Sequence, residues 1–185
     1  QFGQAVGKVV VRRVARQIRA GAAARVFVSA SAERMDEVQG AGLVRSADRV
    51  DLLSNRLVVV VPAAARAVPA TAEELAGVGP LAPGDPEPAP AGIHARQWLE
   101  KRGLWERASD RVVPTLDVRA TLAAVESGNA DAGIVYRTDA AISRRVRVTL
   151  EVPADEAPRI VYPAALVGDA PGPAARAFYE HLRSP

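Results

Sequence analysis

Apolar positions fall into two rhythms along this chain. Val26-Phe27-Val28, Leu57 to Val61, Ala132-Gly133-Ile134-Val135-Tyr136 and Ile160 to Val167 are short unbroken apolar runs, the pattern of strands buried on both faces. Arg144 to Val148 alternates instead, as a half-exposed strand does, and Val112-Val113 is a short extended piece. Elsewhere the spacing is helical. Ala91, Ala95, Trp98 and Leu99 lie at i, i+4, i+7 and i+8, and Val118, Thr121, Leu122 and Val125 form a second such face. Val11, Val14, Ala15 and Ile18 form a third, and a last helix from Pro173 to Leu182 turns Ala174, Ala177, Phe178 and Leu182 inward. Ser29 or Ser31 caps a helix carrying Met35 and Val38, and Thr71 to Leu75 gives a weaker helical signal. Gly103 closes the helix that holds Trp98, with Trp105 packed beneath it as core.

The punctuation between these elements is where chemistry enters. Five of the fourteen prolines crowd between Pro80 and Pro90, a density no helix or central strand tolerates. A helix then starts at about Ala91 with no cation at its entrance. The amides of Ala91, Gly92 and Ile93 have no acceptor within the helix and carry the positive end of its dipole, which makes an anion socket. Taken alone, this is also what an ordinary helix entrance after a surface loop looks like. A second helix is opened by Asp117 as N-cap and closed by Gly128. The strand after it ends on Tyr136 before the polar Arg137-Thr138-Asp139, which sets a phenol at the carboxyl end of a strand, where open α/β sheets bind ligands.

Composition removes several alternatives. There is no cysteine, so disulfides, thiolate catalysis and cysteine-ligated metals are excluded. The two histidines, His94 and His181, have no metal-ligand spacing, and no metal ligands are expected. The net charge of +3 comes from interspersed residues apart from Arg12, Arg13, Arg16 and Arg19. With few aromatics and no second basic cluster, these four read as the solvated side of an amphipathic helix rather than a nucleic-acid or membrane surface. No apolar run approaches the roughly 18 residues of a membrane span. The chain opens at Gln1 without a leader, as a mature or truncated product does. An enzyme reading would rest on His94 as base with Asp85 as its orienter, but no nucleophile elbow and no spaced carboxylate pair accompanies them.

Three long stretches, GDPEPAPAGIHARQWLEKRGLW, DVRATLAAVESGNADAGIVYRTDAA and RIVYPAALV, resemble the periplasmic molybdate-binding proteins, the capture component of molybdate ABC importers. The resemblance runs from about Val14 to Pro185 and takes in VARQIRAGAAARVFVSAS and LLSNRLVVVVP. In that family main-chain amides at helix starts, serine hydroxyls and one tyrosine hydroxyl hold a tetrahedral oxyanion. Matched residue by residue, the alanine of its PAG motif falls on Ala91, the valine of its DVR on Val118 and the tyrosine of its GIVY on Tyr136.

The resemblance implies a two-lobed α/β fold of the type II periplasmic-binding-protein kind, with mixed sheets flanked by helices. It places residues 1–60 and 163–185 in one lobe and 61–162 in the other, with Leu57–Val61 and Ile160–Val167 as adjacent crossing strands. It implies a molybdate or tungstate ligand and no cofactor, a membrane permease as partner, no nucleic acid, a monomer and no enzymatic activity. The location would be extracytoplasmic, periplasmic or membrane-anchored. The family's first strand, first helix and serine loop have no counterpart here, since Lys8-Val9-Val10-Val11-Arg12-Arg13 stands where a serine-rich turn is expected, and its last helix lies past Pro185. On that reading both ends are cut and the chain binds molybdate weakly or not at all. A ligand-sensing domain of a transcription regulator is the alternative, because such regulators reuse the architecture.

Overall fold

A computed structural model describes residues 14–66, 68–87 and 89–184. The readings placed on Lys8 to Arg13 lie outside these residues. The first half contains α1 (14–19), β1 (Val26–Val28), α2 (Ala32–Gly40), β2 (Arg49–Asn55), β3 (Leu57–Pro62), α3 (Ala72–Leu75) and β4 (Leu81–Ala82). There follow α4 (Pro90–Lys101), α5 (Trp105–Ser109), α6 (Val118–Glu126), β5 (Ala132–Tyr136), α7 (Arg137–Ala140), β6 (Val146–Glu151), β7 (Ile160–Leu166) and α8 (Pro173–Arg183). The chain divides into two compact units, one built from both flanks and one from the continuous stretch Asn55–Arg159.

The flanking unit holds a sheet of order β1-β7-β2, with β1 antiparallel to β7 and Phe27 opposite Ala165. Alternation along these strands feeds two cores. Phe27, Ala165 and Val167 pack with Ala15 and Ile18 of α1 and Met35 and Val38 of α2. Ala164 and Leu166 pack with Tyr179 of α8, beside Val26, Val50 and Leu52. The helix from Pro173 therefore has a different inner face from the one its spacing suggests. Phe178 is 53% exposed while Tyr179 is 3% exposed, and Ala174 and Ala177 are exposed as well. Alanine carries too little apolar area to fix the face, and the tyrosine ring buries more on the sheet.

The continuous unit holds a sheet of order β4-β5-β3-β6. The central strand β3 runs antiparallel to both β5 and β6, and Leu57 to Val61 are at most 1% exposed. Fully burying a valine or leucine side chain contributes roughly 1.5–3 kcal/mol, so this run is the main apolar anchor of the unit. Against β3 and β5 lie Leu122 and Val125 of α6 and Ala140 of α7. The expected pairing of Leu57–Val61 with Ile160–Val167 is not found, since β3 and β7 belong to different sheets. With partners on both edges inside its own unit, β3 has no open edge to offer, and β2 takes the place beside β7. The units meet in sequence at Ser54/Asn55 and Arg159/Ile160, so β3 lies wholly within one of them.

Of the two tryptophans, both expected on the inside, only one is fully buried. Trp98 is 1% exposed, whereas Trp105 is half-buried with the Arg96 guanidinium 5.3 Å from its ring centroid. Among the described residues, no helix is long and apolar enough to cross a membrane.

Candidate functional site

The site is assembled by parallel segments that end at the same edge. β4 pairs with β5 in parallel, Leu81 opposite Ala132 and Ala82 opposite Gly133. On its other side Leu81 forms a parallel bridge with Val112: its N–H donates to the Arg111 carbonyl at 2.9 Å and its carbonyl accepts from Val113 at 2.8 Å. Four residues after Leu81, the Asp85 N–H donates to the Thr115 carbonyl at 2.8 Å. Three adjacent backbones thus point the same way. The first leads into α4, the second into α6, and the third ends on Tyr136.

At α4, Pro90 occupies the first helical position, where its missing N–H costs nothing. Ala89 at the N-cap has no capping side chain and the first turn holds no acid, so the amides of Ala91 and Gly92 face no carboxylate from within the helix. The loop before it folds directly over this entrance. Gly84 has φ +88°, and a Cβ on Gly92 would lie 2.2 Å from the Asp85 carbonyl oxygen, so two glycines permit the approach. That carbonyl accepts the Ala89 N–H at 3.1 Å, while the Asp85 carboxylate accepts the Glu87 N–H at 3.0 Å.

At α6, Asp117 caps the third amide, accepting from Ala120 at 2.9 Å, and leaves Val118 at the first position. The helix lies close on β5 because Gly133 has no side chain; a Cβ there would meet Val125 Cγ2 at 2.8 Å. Thr121, fully buried, joins its hydroxyl to that of Thr115 at 2.6 Å and also donates to the Asp117 carbonyl at 3.2 Å. Thr115 thereby ties both helix entrances together, its carbonyl holding the α4 loop and its hydroxyl holding α6.

Tyr136 is half-buried, and its hydroxyl lies 3.3 Å from Nδ1 of His94 in α4, the two rings 6.3 Å apart at 60°. The tyrosine therefore reaches toward the α4 entrance rather than into the sheet core. Just beyond it, burial pushes the Asp139 carboxyl up; Asp117 adds to the rise and Arg119 opposes it. The first turn of α6 and the helix α7 that follows Tyr136 are therefore within electrostatic reach of each other. Ala91, Val118 and Tyr136, picked from the sequence, all lie on segments that end at this one edge. The pairing of Thr115 with Thr121 carried no more signal than a threonine on each side of the capping aspartate, Thr121 reading only as part of the α6 apolar face, and the sequence offered His94 only as a metal ligand to be excluded or as a base oriented by Asp85.

Ser31 occupies the N-cap position of α2, but its hydroxyl turns to the Glu33 carboxylate and makes no cap bond. Ser29, 1% exposed, donates its hydroxyl to the Ser31 carbonyl at 2.8 Å and accepts the Ser31 N–H at 3.2 Å. Among the described residues no three His, Cys, Asp or Glu side chains gather as a metal site would require.

Comparison with known proteins gives consistent relatives. The family described as bacterial extracellular solute-binding protein matches residues 8–185. The molybdate-binding protein ModA of Escherichia coli (strain K12) is 40% identical over 178 residues, which cover 93% of this chain and 69% of that protein. A substrate-binding domain provisionally assigned to a molybdenum ABC transporter of Clostridium difficile superposes with a TM-score of 0.83 at 30% identity, covering 94% of this chain and 76% of that one. The periplasmic molybdate-binding protein of Azotobacter vinelandii gives a TM-score of 0.68 at 25% identity, covering 95% and 78%.

Proposed function

From the premise that this chain belongs to the bacterial extracellular solute-binding proteins, as a relative of the molybdate-binding ModA proteins, we propose that it captures molybdate for delivery to an ABC importer. Its fold is the type II periplasmic-binding-protein-like one, mixed α/β with helices flanking both sheets. The observation that carries the proposal is the convergence of the α4 entrance, the α6 entrance and the Tyr136 hydroxyl on one edge of a sheet.

Such an array suits a tetrahedral dianion. The Ala91 and Val118 amides and the Tyr136 hydroxyl are donors only in the sense the ligand needs, and each charge-assisted hydrogen bond contributes roughly 1.5–3 kcal/mol. Fixed donors favour a fully deprotonated oxyanion, every oxygen of which can accept, and a rigid array favours one radius. Molybdate and tungstate, near each other in size, are both ligands in this reading, and the smaller sulfate is a poor one. The role needs no cofactor and no enzymatic chemistry. The partner is a membrane permease rather than nucleic acid, the location is extracytoplasmic, and the working form is a monomer.

Isothermal titration of the 185-residue chain with molybdate, tungstate and sulfate tests the proposal. Saturable heat with the first two and much weaker heat with sulfate is the expected result. Absence of a saturable signal with all three, for a chain whose circular dichroism shows it folded, would overturn it.

A further inference from the structure

The contact between His94 and Tyr136 has a directional consequence. A phenol has one O–H to give. When His94 is neutral with its proton on Nε2, Nδ1 is an acceptor, and at 3.3 Å it takes that single donor. When Nδ1 carries a proton, the bond reverses: the imidazolium donates to the phenol oxygen and the O–H is released toward whatever lies beyond. We propose that His94 is a positioning residue that decides whether Tyr136 donates to the protein or to the bound oxyanion, so that protonation of His94 and anion capture favour each other. This rests on the functional reading above and names a control on the same site.

The sign is fixed by linkage. A proton on His94 frees a donor for the anion and adds a positive charge beside it, so affinity rises as pH falls through the histidine range. Reciprocally, bound anion raises the His94 pKa. Other charged groups around the pair come from every neighbouring element: Arg137 and Asp139 on α7, Asp117 and Arg119 on α6, and Glu106 and Arg107 on α5. Arg96 on α4 itself is paired with Glu100, β3 contributes no titratable side chain, and Asp85 and Glu87 lie in the loop before α4. Of these, the Asp139 carboxyl is raised by burial, with Arg119 opposing and Asp117 adding to the rise. The other histidine, His181, belongs to the other unit.

The test is titration with molybdate from about pH 8.5 to about pH 5.5, where a histidine changes charge, on four forms of the chain. The unaltered chain should tighten roughly tenfold on acidification, the value of one charge-assisted hydrogen bond at the low end. His94→Phe, which keeps the ring volume, should lose that slope. His94→Asn keeps a side chain that can hydrogen-bond the phenol but does not titrate, and it should bind without a slope across the range. Tyr136→Phe should lose the slope although its histidine still titrates, a result that charge attraction alone does not give. Proton NMR of the His94 ring should also show a pKa rise with saturating molybdate. The proposal falls if His94→Phe keeps the slope, or if Tyr136→Phe keeps it while His94→Phe loses it, since the histidine then acts by charge only. If the unaltered chain does not bind molybdate at any pH, the functional reading itself is wrong and this control goes with it.

Discussion

Gly92 approaches the carbonyl of Asp85 so closely that a single methyl group there would lie 2.2 Å from its oxygen. Backbone, not a flexible side chain, occupies the space, so the loop over the α4 entrance must move to admit Cβ. Gly92→Ala is expected to destabilise the chain by about 1–3 kcal/mol, the usual cost of overpacking, and to weaken molybdate binding further by displacing the Ala91 amide. Urea unfolding and titration calorimetry read the two effects separately. An unchanged midpoint would mean that the loop is not seated as described.

Tyr136→Phe removes one hydroxyl from the candidate array and leaves the ring in place. Since the hydroxyl is half-buried and has His94 at 3.3 Å, stability should change by no more than about 1 kcal/mol. At about pH 5.5, where His94 is protonated and the hydroxyl is released to the anion, molybdate affinity should fall by about 10- to 150-fold, the equivalent of one charge-assisted bond at roughly 1.5–3 kcal/mol. A variant that binds as the parent does would remove Tyr136 from the site.

Much of this arrangement was legible in the chain itself. Pro90 followed by apolar residues at helical spacing announced the α4 entrance, Asp117 and Gly128 bracketed α6, and the break from Val135-Tyr136 to Arg137-Thr138-Asp139 marked where β5 ends. These signals are local, and local geometry is what residue spacing encodes. Partner choice is not local. Nothing in Leu57-Val58-Val59-Val60-Val61 says that its neighbours are β5 and β6 rather than the equally apolar Ile160 to Val167. The face of α8 failed for a related reason: in an alanine-rich helix, Phe178 and Tyr179 compete for the sheet, and shape decides. The Thr115–Thr121 bond and the His94–Tyr136 contact needed coordinates.

Asp139 gives a pH prediction whose sign can be worked through. Burial holds its carboxyl above the ordinary value in the folded chain, so the folded state disfavours the ionised form. At neutral pH the ionised carboxylate is therefore a cost of folding, and protonation relieves it as pH falls through the raised folded value toward the ordinary one. Asp139→Asn should be at least as stable as the parent at pH 7, with the advantage shrinking on acidification and gone below the ordinary carboxylate range. Thermal melts across that range check it, and a variant less stable at pH 7 contradicts it.

Glu156 joins two helical residues by its two oxygens: one accepts the indole N–H of buried Trp98 at 3.2 Å, the other the Arg102 guanidinium at 2.8 Å, which also reaches Glu73 at 2.5 Å. Glu156→Ala should cost about 1–3 kcal/mol, because it strands a buried donor. Arg102→Ala, which breaks only partly exposed ion pairs, should cost less than about 1 kcal/mol. Equal losses in urea unfolding would show that the ion pairs, not the indole, hold the 153–159 segment.

The strand order β1-β7-β2 has a bearing on how the chain acquires its shape. The middle strand of that sheet is Ile160–Leu166, whereas its two outer strands are both complete by Asn55. During synthesis β1 and β2 therefore emerge with no partner between them and wait until the whole of 55–159 has been made. That intervening stretch contains every strand of its own sheet and can close without them. Folding on the ribosome is thus expected to run from the inside of the sequence outward, with the earliest residues among the last to settle. During that interval the exposed edges of β1 and β2 are the part of the nascent chain most in need of a chaperone.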